Sequence, residues 1–277
     1  MKIFTKVIVF TIIGMPFLAM AQKNENYERI YYLNSAEINT EEATVMAKNI
    51  VAEKEYCKLA INIKNNTSDF ILFTPAKTKF VYPEMEKQPE GKEVLIKPNK
   101  SKIKTLLVNG GDEFLQEKFT VQLGELYKIP VDGKEEEASE FQLPAARNSF
   151  MAGDFKVNLV KYSASTKEAK AIFEVQYVGN KMAIVNPSNL SVTANRKKTN
   201  ELVTYANDYK KSSLALLRNG DKVKMVAVFH IPGKIVDMQF ATMNIQWNNT
   251  FVETAPELLP AVSFDVEMDK ALTEEKK

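Results

Sequence analysis

The residues of this chain that are able to do chemistry are few and scattered. His230 is the single histidine and Cys57 the single cysteine, so neither a two-histidine site nor an intramolecular disulfide can form. The sequence contains no glycine-rich phosphate loop and no G-x-S-x-G nucleophile turn. No cysteine and histidine spacing suits zinc, and no acidic loop suits calcium. We therefore predict no catalytic, cofactor-binding or metal-binding residues and no cofactor.

His230 and Cys57 each have a simple structural interpretation. Apolar residues alternate through Lys222–Ile231 from Val223 onward, which places His230 on the opposite side, facing outward or toward a neighbour. Cys57 shares the alternation of Leu59 and is predicted to be a small buried thiol. The alternatives are a catalytic base at His230 and a nucleophilic or cross-linking thiol at Cys57.

Carboxylates and methionines are numerous but show no arrangement that identifies a site. Glu84, Glu86 and Glu90 lie in one polar stretch and Glu135–Glu137 in another, and solvated loops are the simplest interpretation. A glycosidase-type carboxylate pair is the alternative, because such pairs are defined by their separation across a cleft. The methionines are scattered over apolar positions, which favours core filling over metal handling.

The N-terminal residues have the pattern of a secretory signal peptide. Lys2 and Lys6 precede an apolar run, Val7–Leu18, and Ala19–Ala21 supplies small residues for cleavage before Gln22. An uncleaved anchor helix is the alternative, but the run is shorter than the roughly 20 residues of a membrane span. No cysteine marks a lipoprotein site. We predict export, to the periplasm or to an outer-membrane-associated or cell-surface location, with no transmembrane segment in the mature chain.

The charge balance argues against nucleic acid as a partner. The chain has 37 basic and 35 acidic residues. Removal of Lys2 and Lys6 with the signal peptide leaves 35 of each sign. Nucleic-acid-binding proteins normally carry a basic excess on one face, and Arg196–Lys198 is the largest basic cluster that we recognise.

Two stretches of the chain repeat one pattern at an offset of 112 residues: Ala43–Val81 and Phe155–Thr193. Each contains a strand, a polar turn, a second strand, a short turn, a third apolar run and a proline, Pro75 or Pro187. This repetition predicts two tandem β domains.

The start of the first copy is ambiguous on its own. Asn39, followed three residues later by Glu42, resembles a helix N-terminus, and the residues up to Ala60 are good helix formers. The second copy alternates as strands do from Phe155 onward. Because copies of one unit share a fold, we predict strand–turn–strand in both.

The later apolar runs correspond in the same way. Gly124 and Ala241–Thr242 each mark a slip in the apolar alternation, which predicts a β-bulge or bend. Extra residues of the second copy are expected within Asn195–Ser212. The corresponding runs are Val94–Val108 with Leu214–Phe229, at an offset of 120, and Phe119–Ile129 with Gln239–Trp247.

The stretch INIKNNTSDFILFTP, Ile61–Pro75, joins an alternating strand, an Asn-rich turn and a strand that ends in proline. This pattern resembles small immunoglobulin-like domains of exported bacterial proteins of unassigned function. The resemblance implies an all-β chain of two tandem immunoglobulin-like antiparallel β-sandwich domains and identifies no functional residue. The predicted division is a signal peptide (1–21), an N-terminal arm or leading strand (22–42), a sandwich (43–130), a linker (131–154), a sandwich (155–267) and a charged tail (268–277).

These features predict a non-enzymatic exported binding or assembly module of a bacterial cell envelope. It would contact a protein partner through sandwich edges or loops. Tyr27, Tyr31 and Tyr32 either pack on the first sandwich or form part of a binding surface. One alternative is a carbohydrate-active or glycan-binding protein that uses loop carboxylates and aromatic residues. Another is a spacer with a rigid joint between its domains.

Overall fold

The computed structural model describes residues 27–111, 113–211 and 213–277, so the predicted signal peptide lies outside the described residues. The described chain consists mainly of strands in antiparallel sheets, and the all-β prediction is confirmed. One short helix, α1 (Lys270–Glu275), follows the last strand, and Pro75–Lys77 and Pro187–Asn189 form single 3-10 turns. Over these ranges no helix has the length and apolar character that crossing a membrane requires.

The strands fall into two groups, which we call the first and second units. The first unit begins with β1 (Arg29–Tyr31), β2 (Ile38–Asn39), β3 (Ala43–Glu53), β4 (Tyr56–Asn65), β5 (Phe70–Phe73), β6 (Lys79–Val81), β7 (Glu86–Lys87), β8 (Val94–Ile96), β9 (Ser101–Asn109), β10 (Lys118–Gln122) and β11 (Leu126–Ile129). The second unit contains β12 (Lys134–Glu135), β13 (Phe141–Leu143), β14 (Ser149–Ala152), β15 (Phe155–Ala164), β16 (Glu168–Tyr177), β17 (Met182–Val185), β18 (Ser191–Asn195), β19 (Leu202–Ala206), β20 (Ala215–Leu217), β21 (Lys222–His230), β22 (Met243–Gln246) and β23 (Phe251–Thr254). The chain then returns to the first unit with β24 (Glu257–Leu258) and β25 (Ser263–Glu267).

The ambiguous stretch at the start of the first unit is a β-hairpin. β3 and β4 pair antiparallel through a tight turn at Lys54-Glu55. The inward positions of β4, from Cys57 to Ile63, are all buried. β1 pairs with the outer edge of β3, so the described part of the N-terminal arm includes a leading strand. The strand–turn–strand prediction is confirmed, because the apolar alternation has a period of two and buries one face.

The first unit has two layers. One layer is the sheet β1–β3–β4–β9, with β2 also paired to β3, and the other is formed by the sheets β25–β10–β6–β7 and β24–β11–β5–β8. The second layer is one strand set bent in the middle, at the 3-10 turn that starts at Pro75 and at Gly124. A Cβ atom on Gly124 would clash with the Thr74 carbonyl oxygen, so the bend requires glycine.

The second unit has the same neighbour order in its sheets: β14–β15–β16–β21, β13–β22–β18–β19 and β12–β23–β17–β20. Its bend lies between β22 and β23, at Trp247–Thr250. The predicted bend at Ala241–Thr242 is wrong, because the amides of Phe240 and Ala241 both donate to the Asp237 carbonyl in a turn before the strand begins.

The register of the sheets also corrects the predicted equivalence of β9 and β21. Val108 lies opposite Cys57, and Phe229 lies opposite Ala169. Since Cys57 and Ala169 are equivalent at the offset of 112, Val108 corresponds to Phe229, one residue beyond the predicted offset of 120. A slip of one residue exchanges the two faces of a strand, so this correction decides which β9 side chains face the core.

Each unit is closed by a strand that follows the last strand of the other unit. β12 and β13 come directly after β11 but pair with β23 and β22. β24 and β25 come after β23 but pair with β11 and β10. The predicted linker, 131–154, contains β12, β13 and β14, whose alternation is too short to predict strands. The predicted second sandwich included 257–267, because alternation shows that a segment is a strand without showing its neighbour.

The two units share a third hydrophobic cluster besides their own cores. Phe70, Leu72 and Ile129 of the first unit pack with Ile184 and Val252 of the second. On the opposite side of β5, Ile71 and Phe73 belong to the core of the first unit. Phe70–Phe73 is therefore covered on both sides, as suits a strand that is apolar throughout, and the second covering surface is the other unit.

We expect the two units to unfold as one cooperative system, because each loses its closing strand if the other unfolds. Phe80→Ala removes a fully buried ring from the core of the first unit and should cost about 3–5 kcal/mol. Trp247, the single tryptophan, is buried in the second unit. In urea titrations, the Trp247 fluorescence midpoint should fall together with the circular dichroism midpoint.

Ile103→Ala provides the control, since this exposed side chain lies in the same unit outside its core and should leave both midpoints in place. A Trp247 midpoint that stayed at the wild-type value in Phe80→Ala would show that the units unfold independently.

Candidate binding surface

The structure places His230 half-exposed at the end of β21, between two carboxylates. Its Nδ1 lies 3.0 Å from Asp208 Oδ2 and its Nε2 lies 3.0 Å from Glu168 Oε2. Its outward orientation confirms the sequence-based prediction. Both ring nitrogens are engaged, and the side chain ties the loop after β19 to strands β16 and β21.

Cys57 is fully buried, as predicted, next to the ring of Tyr82 in the core of the first unit. Burial raises the pKa of the Cys57 thiol to about 12. Because the thiolate is the reactive form of cysteine, this side chain is held as an unreactive thiol. Its role in the described structure is to fill core volume.

The acidic stretches do not converge on a cleft. Glu86 pairs with Lys79 across the β6–β7 hairpin at 3.0 Å, and Glu136 pairs with Lys134 at 2.6 Å. Within the described ranges, no group of three His, Cys, Asp or Glu side chains is placed to hold a metal ion.

Among the described residues, three carboxyl groups have displaced pKa values, and all three are lowered. The hydroxyl of Tyr56 lowers the pKa of Glu53, the ammonium of Lys181 lowers that of Glu253, and the hydroxyl of Thr120 lowers that of Asp265. Each group is therefore held as a carboxylate, and none is tuned as a proton donor.

Glu253 is the buried member of this set and lies where the chain crosses between units. Its Oε1 accepts from the Tyr177 hydroxyl at 2.8 Å, and its Oε2 accepts from Lys181 Nζ at 2.8 Å. Only 8% of Glu253 is exposed. A Cβ atom on Gly133 of the crossing segment would clash with the Glu253 carbonyl oxygen. This cluster thus anchors the exchanged strand β12.

A second cluster lies on the solvent-facing side of the sheet β1–β3–β4–β9 and is the candidate binding surface. We call it the basic–aromatic face and define it by residues of five elements. These residues are Arg29, Tyr31, Lys48, Val51, Tyr56, Lys58, Lys64, Ile103, Thr105, Leu107 and Lys276.

The strand register brings these residues together. Arg29 lies opposite Glu53 and Tyr31 opposite Val51 in the β1–β3 pair, and Lys58 lies opposite both Val51 and Leu107. A β-bulge between Lys48 and Val51, with Asn49 at a φ of 52°, widens the sheet beside this row.

Helix α1 forms one wall of a groove on this face. The Asp269 carboxylate caps the helix by accepting from the Leu272 amide at 3.0 Å. The Thr273 hydroxyl accepts from the Tyr31 amide at 3.0 Å, which fixes the helix to β1. The groove has a volume of about 580 Å³, and its lining includes Tyr31, Val51, Tyr56, Lys58, Leu272 and Lys276.

The charges on this face are mainly positive, and several lie against aromatic rings. Lys276 Nζ lies 5.0 Å from the Tyr31 ring centroid, and Lys58 Nζ lies 5.8 Å from that of Tyr56, within cation–π range. Glu53 accepts from Arg29 Nε at 2.8 Å and from the Tyr56 hydroxyl at 2.5 Å. Strands β4 and β9 contain no acidic residue.

Two apolar side chains stand exposed beside these cations. Ile103 is 71% exposed and Leu107 is 48% exposed. Both lie on the outward side of β9, with Thr105 between them. Apolar side chains that are exposed together and flanked by polar ones are typical of interaction surfaces. The face can therefore offer hydrophobic contact, ring stacking and positive charge to one ligand.

Sequence reasoning found part of this surface. The prediction for the arm left packing and binding open for its tyrosines. Tyr32 is buried in the core of the first unit, whereas Tyr27 and Tyr31 line grooves. The basic cluster was missed because its members come from strands far apart in the chain.

Comparisons with known proteins do not identify a family. No family model matches the chain, and no curated protein matches it. Solved structures to which it is similar include a mutant of Bacillus subtilis oxalate decarboxylase, with 6% identity, 89% of this chain and 81% of that chain covered, and a TM-score of 0.18. A Lactobacillus farciminis oxalate decarboxylase formate complex gives 8% identity, 90% and 87% coverage, and a TM-score of 0.16. TM-scores this low do not indicate a shared fold.

The Glu253 cluster generates a pH-dependent prediction. A lowered carboxyl pKa contributes stability that is present above the ordinary carboxyl range and is lost as the pH falls through the lowered value. Lys181→Met removes the largest cause of the lowering. It should destabilise the protein by about 1 kcal/mol at neutral pH, since the lysine is partly exposed. The difference from wild type should vanish in acid.

Chemical denaturation at a series of pH values measures this difference. Lys79→Met is the control, because Lys79 and Glu86 form an exposed pair and its removal should change little at any pH. A Lys181→Met deficit that persisted unchanged in acid would contradict the assignment.

Proposed function

We propose that the chain is a non-enzymatic exported binding or assembly module of a bacterial cell envelope, and that the basic–aromatic face contacts a protein partner. The observation that carries this proposal is the exposure of Ile103 and Leu107 beside Lys58, on the side of the sheet that faces away from the core. Tyrosine and arginine are enriched in protein-binding surfaces, and the lysines of the face add charge complementarity to a partner of opposite charge.

The architecture that we propose for this module is a pair of immunoglobulin-like sandwiches that exchange their closing strands. Within each unit, one layer has the strand order A-B-E and the other has the order G-F-C-C′ of such domains. In the first unit these are β3–β4–β9 and β25–β10–β6–β7. Export rests on the n-region, apolar run and cleavage site of residues 1–21. A spacer would need the same packed joint between units but no exposed apolar surface.

A glycan ligand is the alternative, and the groove beside Arg29 favours it. This groove has a volume of about 550 Å³ and is lined by Tyr27, Tyr31, Glu53 and two terminal lysines. Partly exposed tyrosine rings next to hydrogen-bonding groups suit a sugar. Tyr31→Ala would then abolish binding to immobilised neutral glycans, and added salt would have little effect.

Site-specific photo-crosslinking in the native cell tests the protein-partner proposal. A photoreactive amino acid in place of Ile103 should give a discrete protein adduct. The same group in place of Lys224, the equivalent outward position of β21, should not. Adding Lys58→Glu should reduce the Ile103 adduct at least about fivefold, because it reverses a charge at the centre of the face.

The matched control for the charge reversal is Lys170→Glu, since Lys170 is the equivalent of Lys58 in the second unit and also faces outward. Absence of an adduct at position 103, equal adducts at both positions, or equal effects of the two charge reversals would each contradict the proposal.

A further inference from the structure

Strand β9 is a sheet edge with unpaired backbone groups. It lies at the end of its sheet, and among the described strands it pairs with β4 alone. The Asn65 amide donates to the Lys100 carbonyl at 2.9 Å, so this pair is a hydrogen-bonded one. Hydrogen-bonded and non-hydrogen-bonded pairs alternate along an antiparallel ladder. The N–H and C=O groups of Ile103, Thr105 and Leu107 therefore point away from β4, and no described residue forms a hydrogen bond with them.

The equivalent edge in the second unit is covered. By the register, Ile103, Thr105 and Leu107 correspond to Lys224, Val226 and Val228. There the Asp208 amide donates to the Val228 carbonyl at 2.8 Å, and the Val228 amide donates to Asn207 Oδ1 at 2.9 Å.

The Asn207 side-chain amide also donates to the Val226 carbonyl at 3.3 Å. These contacts come from the connection between β19 and β20, which is longer than its counterpart between β7 and β8. One fold thus carries the same edge twice, once covered by its own loop and once open.

The side chains of the open edge disfavour its pairing with the same edge of a second copy of this chain. Lys102 and Lys104 occupy inward positions that are Val223 and Met225 in the covered strand. Inward-pointing lysine on an edge strand discourages pairing between like edges. In an antiparallel pairing of two β9 strands centred on Thr105, the two Lys104 side chains would be diagonal neighbours and would repel.

The same lysines favour an acidic strand. Resting on the proposed function, we infer that β9 accepts an extended acidic segment of a protein partner as an added antiparallel strand. Its backbone pairs with Ile103, Thr105 and Leu107. Its apolar side chains lie beside exposed Ile103 and Leu107 on the outward side, and its carboxylates lie beside Lys102 and Lys104 on the other. This edge is continuous with the basic–aromatic face through the Lys58–Leu107 pair.

Strand addition of this kind supplies affinity through main-chain hydrogen bonds and specificity through alternate side chains. The partner is thus defined by a period of two: apolar, acidic, apolar, acidic. A folded acidic surface would complement the positive charge of Lys102 and Lys104. It would not supply hydrogen-bond partners for the six backbone N–H and C=O groups of the three open residues.

A synthetic ten-residue peptide of alternating valine and glutamate, compared with one of valine and lysine, tests the inference by fluorescence anisotropy. Wild type should bind the valine–glutamate peptide at least about tenfold more tightly. On binding, amide exchange at Ile103, Thr105 and Leu107 should slow, while that of the equivalent residues in β21 should not change.

Thr105→Pro is the decisive variant. It removes an N–H that points away from β4, so the sheet keeps all of its own bonds, and proline is tolerated on edge strands. Binding of the valine–glutamate peptide should fall about tenfold. If circular dichroism shows that this variant is misfolded, the double variant Lys102→Glu with Lys104→Glu replaces it as the test. The double variant should bind the valine–lysine peptide more tightly than the valine–glutamate peptide.

The outcomes that overturn strand addition differ from those that overturn the proposed function. No binding by wild type, equal binding of both peptides, or undiminished binding by Thr105→Pro would refute the added strand. The partner adduct at position 103 would survive such results if the face binds a folded surface. Loss of that adduct would refute the proposed function by itself.

Discussion

The whole structure depends on the reciprocal closure of the two units. The chain leaves the first unit after β11 to close the second with β12 and β13, and leaves the second after β23 to close the first with β24 and β25. Both crossings lie beside a hydrophobic cluster formed by Phe70, Leu72, Ile129, Ile184 and Val252. Separating the units would remove an edge strand from each sheet and expose this cluster, so their mutual position is fixed by the sheets themselves.

This constraint decides which surfaces remain free. The outer side of β5 is buried against the other unit, and the edges beside β10 and β22 are taken by the exchanged strands. The surface that remains free in each unit is the outward face of the layer without exchanged strands, β1–β3–β4–β9 or β14–β15–β16–β21. In the second unit, Asn207 and Asp208 cover the edge of that layer. In the first unit the face and its edge are both open.

Buried ionisable groups lie where the chain passes between the units and in the core of the first unit. Glu253 is buried with Tyr177 and Lys181 where the exchanged strand β12 joins its sheet, and a buried charge persists only when it is paired. Burial keeps the Cys57 thiol protonated. The basic–aromatic face instead presents its ionisable groups to solvent.

The sequence by itself determined the strands. A period of two predicted β3 and β4 against the helix-forming composition of that stretch, and it placed Cys57 inside and His230 outside. Pro75 and Pro187 marked strand ends, because proline cannot donate to a ladder. Alternation records which way a side chain faces, and it is a local property of the chain.

The tertiary structure alone decided which strands are neighbours. Nothing in the alternation of Ser263–Glu267 indicates that it pairs with Lys118–Gln122 rather than with the unit that precedes it. The equivalence of β9 and β21 was shifted by one residue, because their letters match better in the wrong register. The basic–aromatic face and the open edge of β9 depend on that neighbourhood and register, since hydrogen bonds between distant strands bring Arg29, Lys58 and Leu107 together.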